Sequence, residues 1–219
     1  MEVWINNDLH LNENLVENDG DLKNALAVSR ENNIPEMEIS ATQGKFLYLL
    51  AKMRNAKRIL EIGTLGGYST IWLAKAISTD GLIISLEYDK LCVDTARQNI
   101  AYANLQNIVK IIHGKAIDSM KTMIAEKEEP FDMIFIDADK PNYPNYLKLS
   151  LQLAKPGTVI YADNVIRNGE LCNTASLDEK VIGVQSFVED LGKLENIEST
   201  ALQTVGIKGY DGFTISIVK

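Results

Sequence analysis

Arg58-Ile59-Leu60-Glu61-Ile62-Gly63-Thr64-Leu65-Gly66-Gly67-Tyr68-Ser69 is the stretch from which the fold can be read. Its apolar run (Ile59, Leu60, Ile62) stops at Gly63, passes Gly66 and Gly67, and opens a helical pattern at Tyr68. That order is a buried strand, a glycine-rich turn and the start of a helix. Glycine has no Cβ and tolerates positive φ, so such a turn lets the backbone approach a ligand closely. The free N–H groups that open the helix favour a carboxylate or phosphate. The spacing is Gly-x-x-Gly-Gly, not the Gly-x-Gly-x-x-Gly of dinucleotide sites. Glu61 stands just before the first glycine, where it could hold an amino group. The stretch reads as a nucleoside-cofactor site and leans away from a dinucleotide.

Outward from it, short apolar runs alternate with helical patterns. The strand candidates are Arg58–Ile62, Leu82–Glu87, Val109–His113, Met133–Asp137 and Thr158–Asp163, and the helices between them span about 68–78, 90–104, 116–126 and 143–154. Further helices are expected near 19–31, 42–54 and 178–194. Asp80-Gly81 and Pro156-Gly157 are turn signals ahead of the second and fifth strands. Nearly continuous apolar strands alternating with helices imply a parallel sheet covered on both faces, a three-layer α/β/α arrangement. Glu198–Val205 and Phe213–Val218 are two strand-like runs with no helix between them, which predicts a terminal antiparallel hairpin.

Composition bounds the function. The 219 residues, 46% of them hydrophobic, suit one α/β domain over 1–219 with a sizeable core. The formal net charge of −8 argues against a general electrostatic grip on nucleic acid, while leaving room for a small basic site. Two cysteines, Cys92 and Cys172, are too few for a disulfide framework and suit a reduced, cytoplasmic setting. The first eight residues carry neither a basic patch nor an apolar signal core, and no run approaches the roughly 20 apolar residues of a membrane span.

In an open parallel sheet, ligands sit beyond the carboxyl ends of the strands. The first strand supplies Glu61 and the glycine turn. The second ends in Glu87, about two dozen residues past Gly63, where a ribose-binding acid would lie. The third ends at His113-Gly114-Lys115-Ala116, a floor or edge for a base, with His113 itself read as structural. The fourth ends Asp137-Ala138-Asp139-Lys140 and the fifth ends Asp163-Asn164. As neighbours, those two ends would be about 5 Å apart. Asp137, Asp163 and Asn164 would then offer hard oxygens to one pocket, and carboxylates so crowded call for a cation between them. Mg²⁺ is the natural occupant, with Ca²⁺ or Mn²⁺ as further choices. Lys140 would stand beside that ion, where a lysine becomes a usable base near neutrality.

These residues together resemble a family. Leu60-Glu61-Ile62-Gly63-Thr64 with Gly67-Tyr68-Ser69, then Ile136-Asp137-Ala138-Asp139-Lys140 with Asn142-Tyr143, then Asp163-Asn164, are similar to the cation-dependent O-methyltransferases. The likeness runs from about Ser40 to the C-terminus and closes on Gly209-Tyr210-Asp211-Gly212, an Asp-Gly turn in relatives. The Asp-Ala-Asp-Lys run resembles the caffeoyl-CoA and bacterial branch more than the animal catechol branch. The resemblance implies S-adenosylmethionine as methyl donor on a Rossmann-like, seven-stranded sheet whose last two strands form a reversed pair. It implies that Glu61 and Ser69 hold the methionine end of the donor, Gly63 and Thr64 its backbone-facing side, and Glu87 the ribose hydroxyls. Ala116 would border the adenine, Ile39 would contact the donor from above, and Tyr146 would line the pocket. Asp137, Asp163 and Asn164 would bind the metal, with Lys140 as general base. The N-terminal segment, 1–54, would cover the donor and serve in substrate or homodimer contacts. The loop Arg167-Asn168-Gly169-Glu170-Leu171-Cys172 is placed to touch substrate, with Cys172 as a bystander thiol.

The expected acceptor is a phenol with vicinal hydroxyls, of catechol, caffeoyl or flavonoid type. Three other functions fit part of the pattern. Some bacterial relatives methylate a hydroxylated uridine of tRNA, which the charge of −8 disfavours. An NAD-dependent oxidoreductase shares the coarse fold but lacks its glycine spacing here. A non-catalytic cofactor-binding module would have no need of Lys140.

Overall fold

The structure, a computed structural model, describes residues 2–219, so Met1 of the N-terminal reading lies outside the described residues. Helices α1 (Glu2–Leu15), α2 (Gly20–Glu31) and α3 (Ala41–Met53) precede the first strand. Strands and helices then alternate: β1 (Arg58–Ile62), α4 (Tyr68–Ala76), β2 (Leu82–Glu87), α5 (Lys90–Tyr102), β3 (Val109–His113), α6 (Ala116–Ala125), β4 (Phe131–Ile136), α7 (Tyr143–Gln152) and β5 (Ala154–Asp163). Helix α8 (Glu179–Lys193) leads into a hairpin of β6 (Ile197–Gly206) and β7 (Gly209–Val218). Two 3-10 turns, Lys140–Asn142 and Arg167–Cys172, follow β4 and β5.

All seven strands form one sheet in the order β3-β2-β1-β4-β5-β7-β6, with the first five parallel and β7 antiparallel to both neighbours. Because side chains alternate across a strand, the apolar runs of the central strands feed both faces. Ile59, Ile83, Met133, Phe135 and Tyr161 pack under α2, α3, α4 and α5. Leu60, Ile62, Ile84, Ile134, Ile136 and Ile160 pack under α6, α7 and α8. Each of these side chains, once buried, is worth roughly 1.5–3 kcal/mol. Helix starts follow from capping: the Asp19 carboxylate accepts the Asp21 and Leu22 N–H groups, Ser40 accepts that of Gln43, and Asp178 that of Lys180. Chain order reverses between β1 and β4, and a crevice at such a switch point is where ligands of open α/β sheets bind.

Three expectations are revised. No helix was predicted specifically over 2–15, where α1 forms; its apolar residues Val3, Leu9 and Leu15 remain exposed, so it has no core-facing stripe to read. Strand β5 begins at Ala154 rather than Thr158. The Pro156-Gly157 signal is absorbed as a register irregularity against β4, stitched by Thr158 Oγ1, which takes the Lys155 N–H and donates to the Phe131 carbonyl. The hairpin is longer than expected and turns at Ile207-Lys208, with Gly209 at φ 97°, so Asp211-Gly212 lies inside β7 and not in a turn. Among the described residues, no helix is long and apolar enough to cross a membrane.

At the amino edge of the sheet, Asp132 opens β4 and accepts the Lys57 and Arg58 N–H groups at 2.8 and 2.9 Å. It also pairs with Lys155 at 2.7 Å and Arg54 at 3.8 Å. Burial pushes its carboxyl up, but Lys155 and the two backbone donors outweigh that and hold it below the usual carboxylate range. A depressed acid stabilises the fold above its unfolded pKa, and that support is lost as pH falls through the folded value. Asp132→Ala should therefore cost about 1–3 kcal/mol in urea denaturation at pH 7, and much less at pH 3.

Candidate active site

The carboxyl ends of β1, β2, β4 and β5 bring the expected residues to one edge of the sheet. Strands β4 and β5 are adjacent, with Ile136 opposite Ala162, so Asp137 and Asp163 each stand one step past a paired position. The Asp137 N–H donates to the Ile62 carbonyl at 2.9 Å, which binds the end of β4 to that of β1.

The glycine turn takes φ values of 99° at Gly63, 48° at Leu65 and 86° at Gly67. At Gly63 a Cβ would overlap the Asp137 carbonyl oxygen. The absent side chain therefore admits the neighbouring strand end, a packing need the ligand argument did not anticipate. Beneath the turn, Glu61 is fully buried. Ser69 donates to its Oε1 at 2.6 Å, while Thr70 and Ser85 donate to Oε2 at 2.5 Å each. The Ser85 proton is thus spent on Glu61, so the 2.5 Å contact between Ser85 and Thr64 hydroxyls must run from Thr64 to Ser85. Burial raises the Glu61 carboxyl to about 7 against the opposing hydroxyls, and Asp137 adds to the rise.

Glu87 folds back onto its own loop. Its Oε2 accepts the Thr64 and Leu65 N–H groups at 3.1 and 2.9 Å, and its Oε1 those of Tyr88 and Asp89 at 2.8 and 2.9 Å. Ala116 opens α6, and the preceding Gly114 N–H donates to the Glu87 carbonyl. Ile39 is buried next to Ser40, the cap of α3. His113 is exposed, its Nε2 3.1 Å from the Tyr88 carbonyl. Cys172 is exposed, and Trp72 is buried where α4 meets Gly44 of α3.

Around β4 and β5 the polar groups interlock. Lys140 is buried, and its Nζ donates to Asp137 Oδ1 at 2.9 Å and to the Tyr143 hydroxyl at 2.7 Å. That hydroxyl donates in turn to the Asp163 carbonyl at 2.8 Å. Helix α8 presses on the same turn: a Cβ at Gly183 would overlap the Lys140 carbonyl oxygen. Asp163 is buried, and burial first, then the Asp137 charge, push its carboxyl up to about 7 although Lys140 pulls the other way. Asn164 sits at φ 55°. The Tyr146 hydroxyl donates to Asp139 Oδ1 at 2.5 Å, so this phenol faces the loop after β4.

Three side chains in this network had no role assigned from sequence. Ser85 was visible as the lone hydroxyl within the apolar strand Leu82–Glu87. Thr70 follows Ser69 directly, and Tyr143 stands one helical turn beyond Lys140. A depression of about 300 Å³ lies at the opposite, amino edge, lined by Lys52, Lys57, Lys75 and Ser78. There Lys57 pairs with Asp80, and Lys75 with Asp19 and Asp21, so it holds elements together and does not extend the site.

Among the described residues, no three His, Cys, Asp or Glu side chains gather as a metal centre, so a cation here would rely on Asp137, Asp163 and the Asn164 amide. Of these two buried or half-buried carboxylates only Asp137 pairs with an ammonium, that of Lys140, and a hard cation would relieve the negative charge left over. The donor set fits such an ion.

A family model described as O-methyltransferase matches residues 12–217. The chain is 48% identical over 189 residues to a catechol O-methyltransferase of Niastella koreensis, covering 86% of each chain. It is 41% identical to a catechol O-methyltransferase of Mycobacterium tuberculosis, covering 97% of this chain and 94% of the relative. The crystal structure of the O-methyltransferase from Bacillus cereus in complex with SAH superposes with a TM-score of 0.98 at 47% identity, over 100% of this chain and 99% of that one.

The buried Glu61 also makes a thermodynamic prediction. A carboxyl raised in the fold binds its proton more tightly there than in the unfolded chain, so its contribution is lost as pH rises through the folded value. Stability should therefore decline between about pH 4.5 and 7, the ordinary and raised values for this group. Glu61→Gln should flatten that decline in urea unfolding measured across this range. An unchanged slope would mean Glu61 titrates normally.

Proposed function

Because the chain belongs to the O-methyltransferase family and is an O-methyltransferase, we propose that it transfers a methyl group from S-adenosylmethionine to a phenol with two adjacent hydroxyls, with a divalent cation in the site. Membership sets aside the NAD-dependent oxidoreductase and the non-catalytic module. The observation that carries the reading is the meeting of Asp137, Lys140 and Asp163 beside the Glu61 glycine turn. The SAH held by the Bacillus cereus enzyme supports the donor, and the catechol O-methyltransferases among the relatives support the acceptor.

On this reading Glu61 and Ser69 hold the methionine end of the donor. Glu61 Oε1 carries a single hydroxyl donor and keeps a lone pair for an N–H, whereas Oε2 is filled. Gly63 and Thr64 form the backbone-facing side, Ala116 borders the adenine, Ile39 covers the donor, and Tyr146 lines the pocket. Glu87 takes the ribose hydroxyls by exchanging some of its four backbone donors for them. The donor supplies an electrophilic methyl group, so no covalent enzyme intermediate is needed.

Asp137, Asp163 and Asn164 hold the cation, Mg²⁺ first and Ca²⁺ or Mn²⁺ as further choices. A divalent ion there would supply Lewis acidity that lowers the pKa of a bound phenol from about 10. Lys140 in its neutral amine form accepts the phenolic proton at Nζ and becomes the ammonium, and Asp137 and Tyr143 set its direction. Burial of this cluster keeps competing water away, and fixed geometry supplies much of the acceleration. Exposed Val3, Leu9 and Leu15 on α1 support a homodimer through the N-terminal helices, checked by light scattering. A cytoplasmic location completes the reading.

Labelled S-adenosylmethionine with a panel of vicinal-diol phenols should give methyl transfer that EDTA abolishes and Mg²⁺ restores. Lys140→Ala should lower kcat by about a hundredfold or more with donor affinity nearly unchanged. Full turnover by Lys140→Ala or Asp163→Ala would sink the mechanism. Donor binding with transfer only to tRNA would replace the acceptor and keep the site.

A further inference from the structure

Three residues beyond Asn164 stands an arginine that the scheme above does not use. Arg167 has φ 53°, a left-handed backbone that residues with a Cβ adopt only when held there. Asp211 of β7 holds it: one carboxylate oxygen, Oδ1, accepts the N–H groups of Ile166, Arg167 and Gly212 at 2.9, 3.0 and 2.9 Å. Asn168 and Gly169 continue the left-handed run at φ 57° and 92°. The arginine is therefore presented by a braced turn.

Its side chain is only partly exposed, and its Nε is shut off from water with no hydrogen-bond partner. Among the described residues its guanidinium makes no ion pair. A buried guanidinium N–H without an acceptor is costly, and guanidinium groups otherwise find carboxylates or phosphates. The turn that presents it begins just past Asn164, and the Asp163 carbonyl before it accepts from the Tyr143 phenol that also meets Lys140. Lys140 is committed to Asp137, and Asp211 to backbone donors.

We propose that Arg167 is a specificity-determining residue that pairs with a carboxylate carried by the phenolic acceptor. The proposal rests on the vicinal-phenol reading and narrows it to acidic acceptors, away from thioesters and neutral flavonoids. A planar guanidinium can grip both carboxylate oxygens, which a neutral ester cannot reciprocate.

The test compares 3,4-dihydroxybenzoate with its methyl ester, which share the ring and hydroxyls and differ in charge, using the full chain with S-adenosylmethionine and Mg²⁺. The readout is the ratio of the two kcat/KM values, so a general loss of activity or of folded protein cancels. The wild type should favour the acid about tenfold or more, mainly through a lower KM. Arg167→Met should bring the ratio close to one, and Arg167→Lys should recover part of it. Equal use of acid and ester by the wild type, or a preference that survives in Arg167→Met, would overturn the assignment while the phenol reading stands. No transfer to either compound would remove the phenol reading and the assignment with it.

Discussion

The Asp137 carbonyl occupies the space a side chain at residue 63 would need. Through this one residue, the turn proposed to receive the methyl donor and the strand end that carries Asp137 and Lys140 become a single piece of backbone. The Asp137 N–H bonds to Ile62, its carbonyl sits over Gly63, and its side chain takes the Lys140 ammonium. A displacement at either strand end is felt at the other. Methyl transfer needs donor and acceptor closely aligned, and on the proposed reading a shared residue would supply that alignment without a flexible intermediary.

Charge is the second theme. Glu61 and Asp163 are buried acids, and neither has a full cation of its own. Glu61 is satisfied by hydroxyls, which can accept as well as donate and thus tolerate either protonation state of the acid. Asp163 keeps company with Asp137 and shares its one lysine. Acids held this way leave negative charge that the proposed sulfonium donor and metal ion would meet.

Much of this was legible in sequence for a definite reason. Strands buried on both faces are largely apolar, so β1, β2, β4 and the end of β5 announced themselves, and the strand-end rule then pointed at Glu61, Glu87, Asp137 and Asp163. What escaped lacked such a constraint. Helix α1 buries too little apolar surface to leave a periodic stripe, and Pro156-Gly157 serves equally as a turn or a bulge. Asp211-Gly212 was expected in a turn from the resemblance alone, whereas the chain reverses at Ile207-Lys208 and leaves that pair inside β7. Within the site, Tyr143, Thr70 and Ser85 act through other side chains, and sequence spacing carries little information about contacts between separate elements. Gly183 acts through what it lacks, which only the packed structure reveals.

The position of β7 has a consequence for the order of events in synthesis. This strand lies between β5 and β6 in the sheet, although it follows both in the chain, and its Asp211 braces the loop beyond Asp163 and Asn164. Strands β1 to β5 can assemble as the polypeptide emerges, yet the flank of β5 stays open until β7 is made and slides into place. The nascent protein can therefore own its glycine turn, its acids and its lysine while the loop carrying Arg167 is still unfixed. Completion of the hairpin is the step that turns a folded scaffold into a finished site.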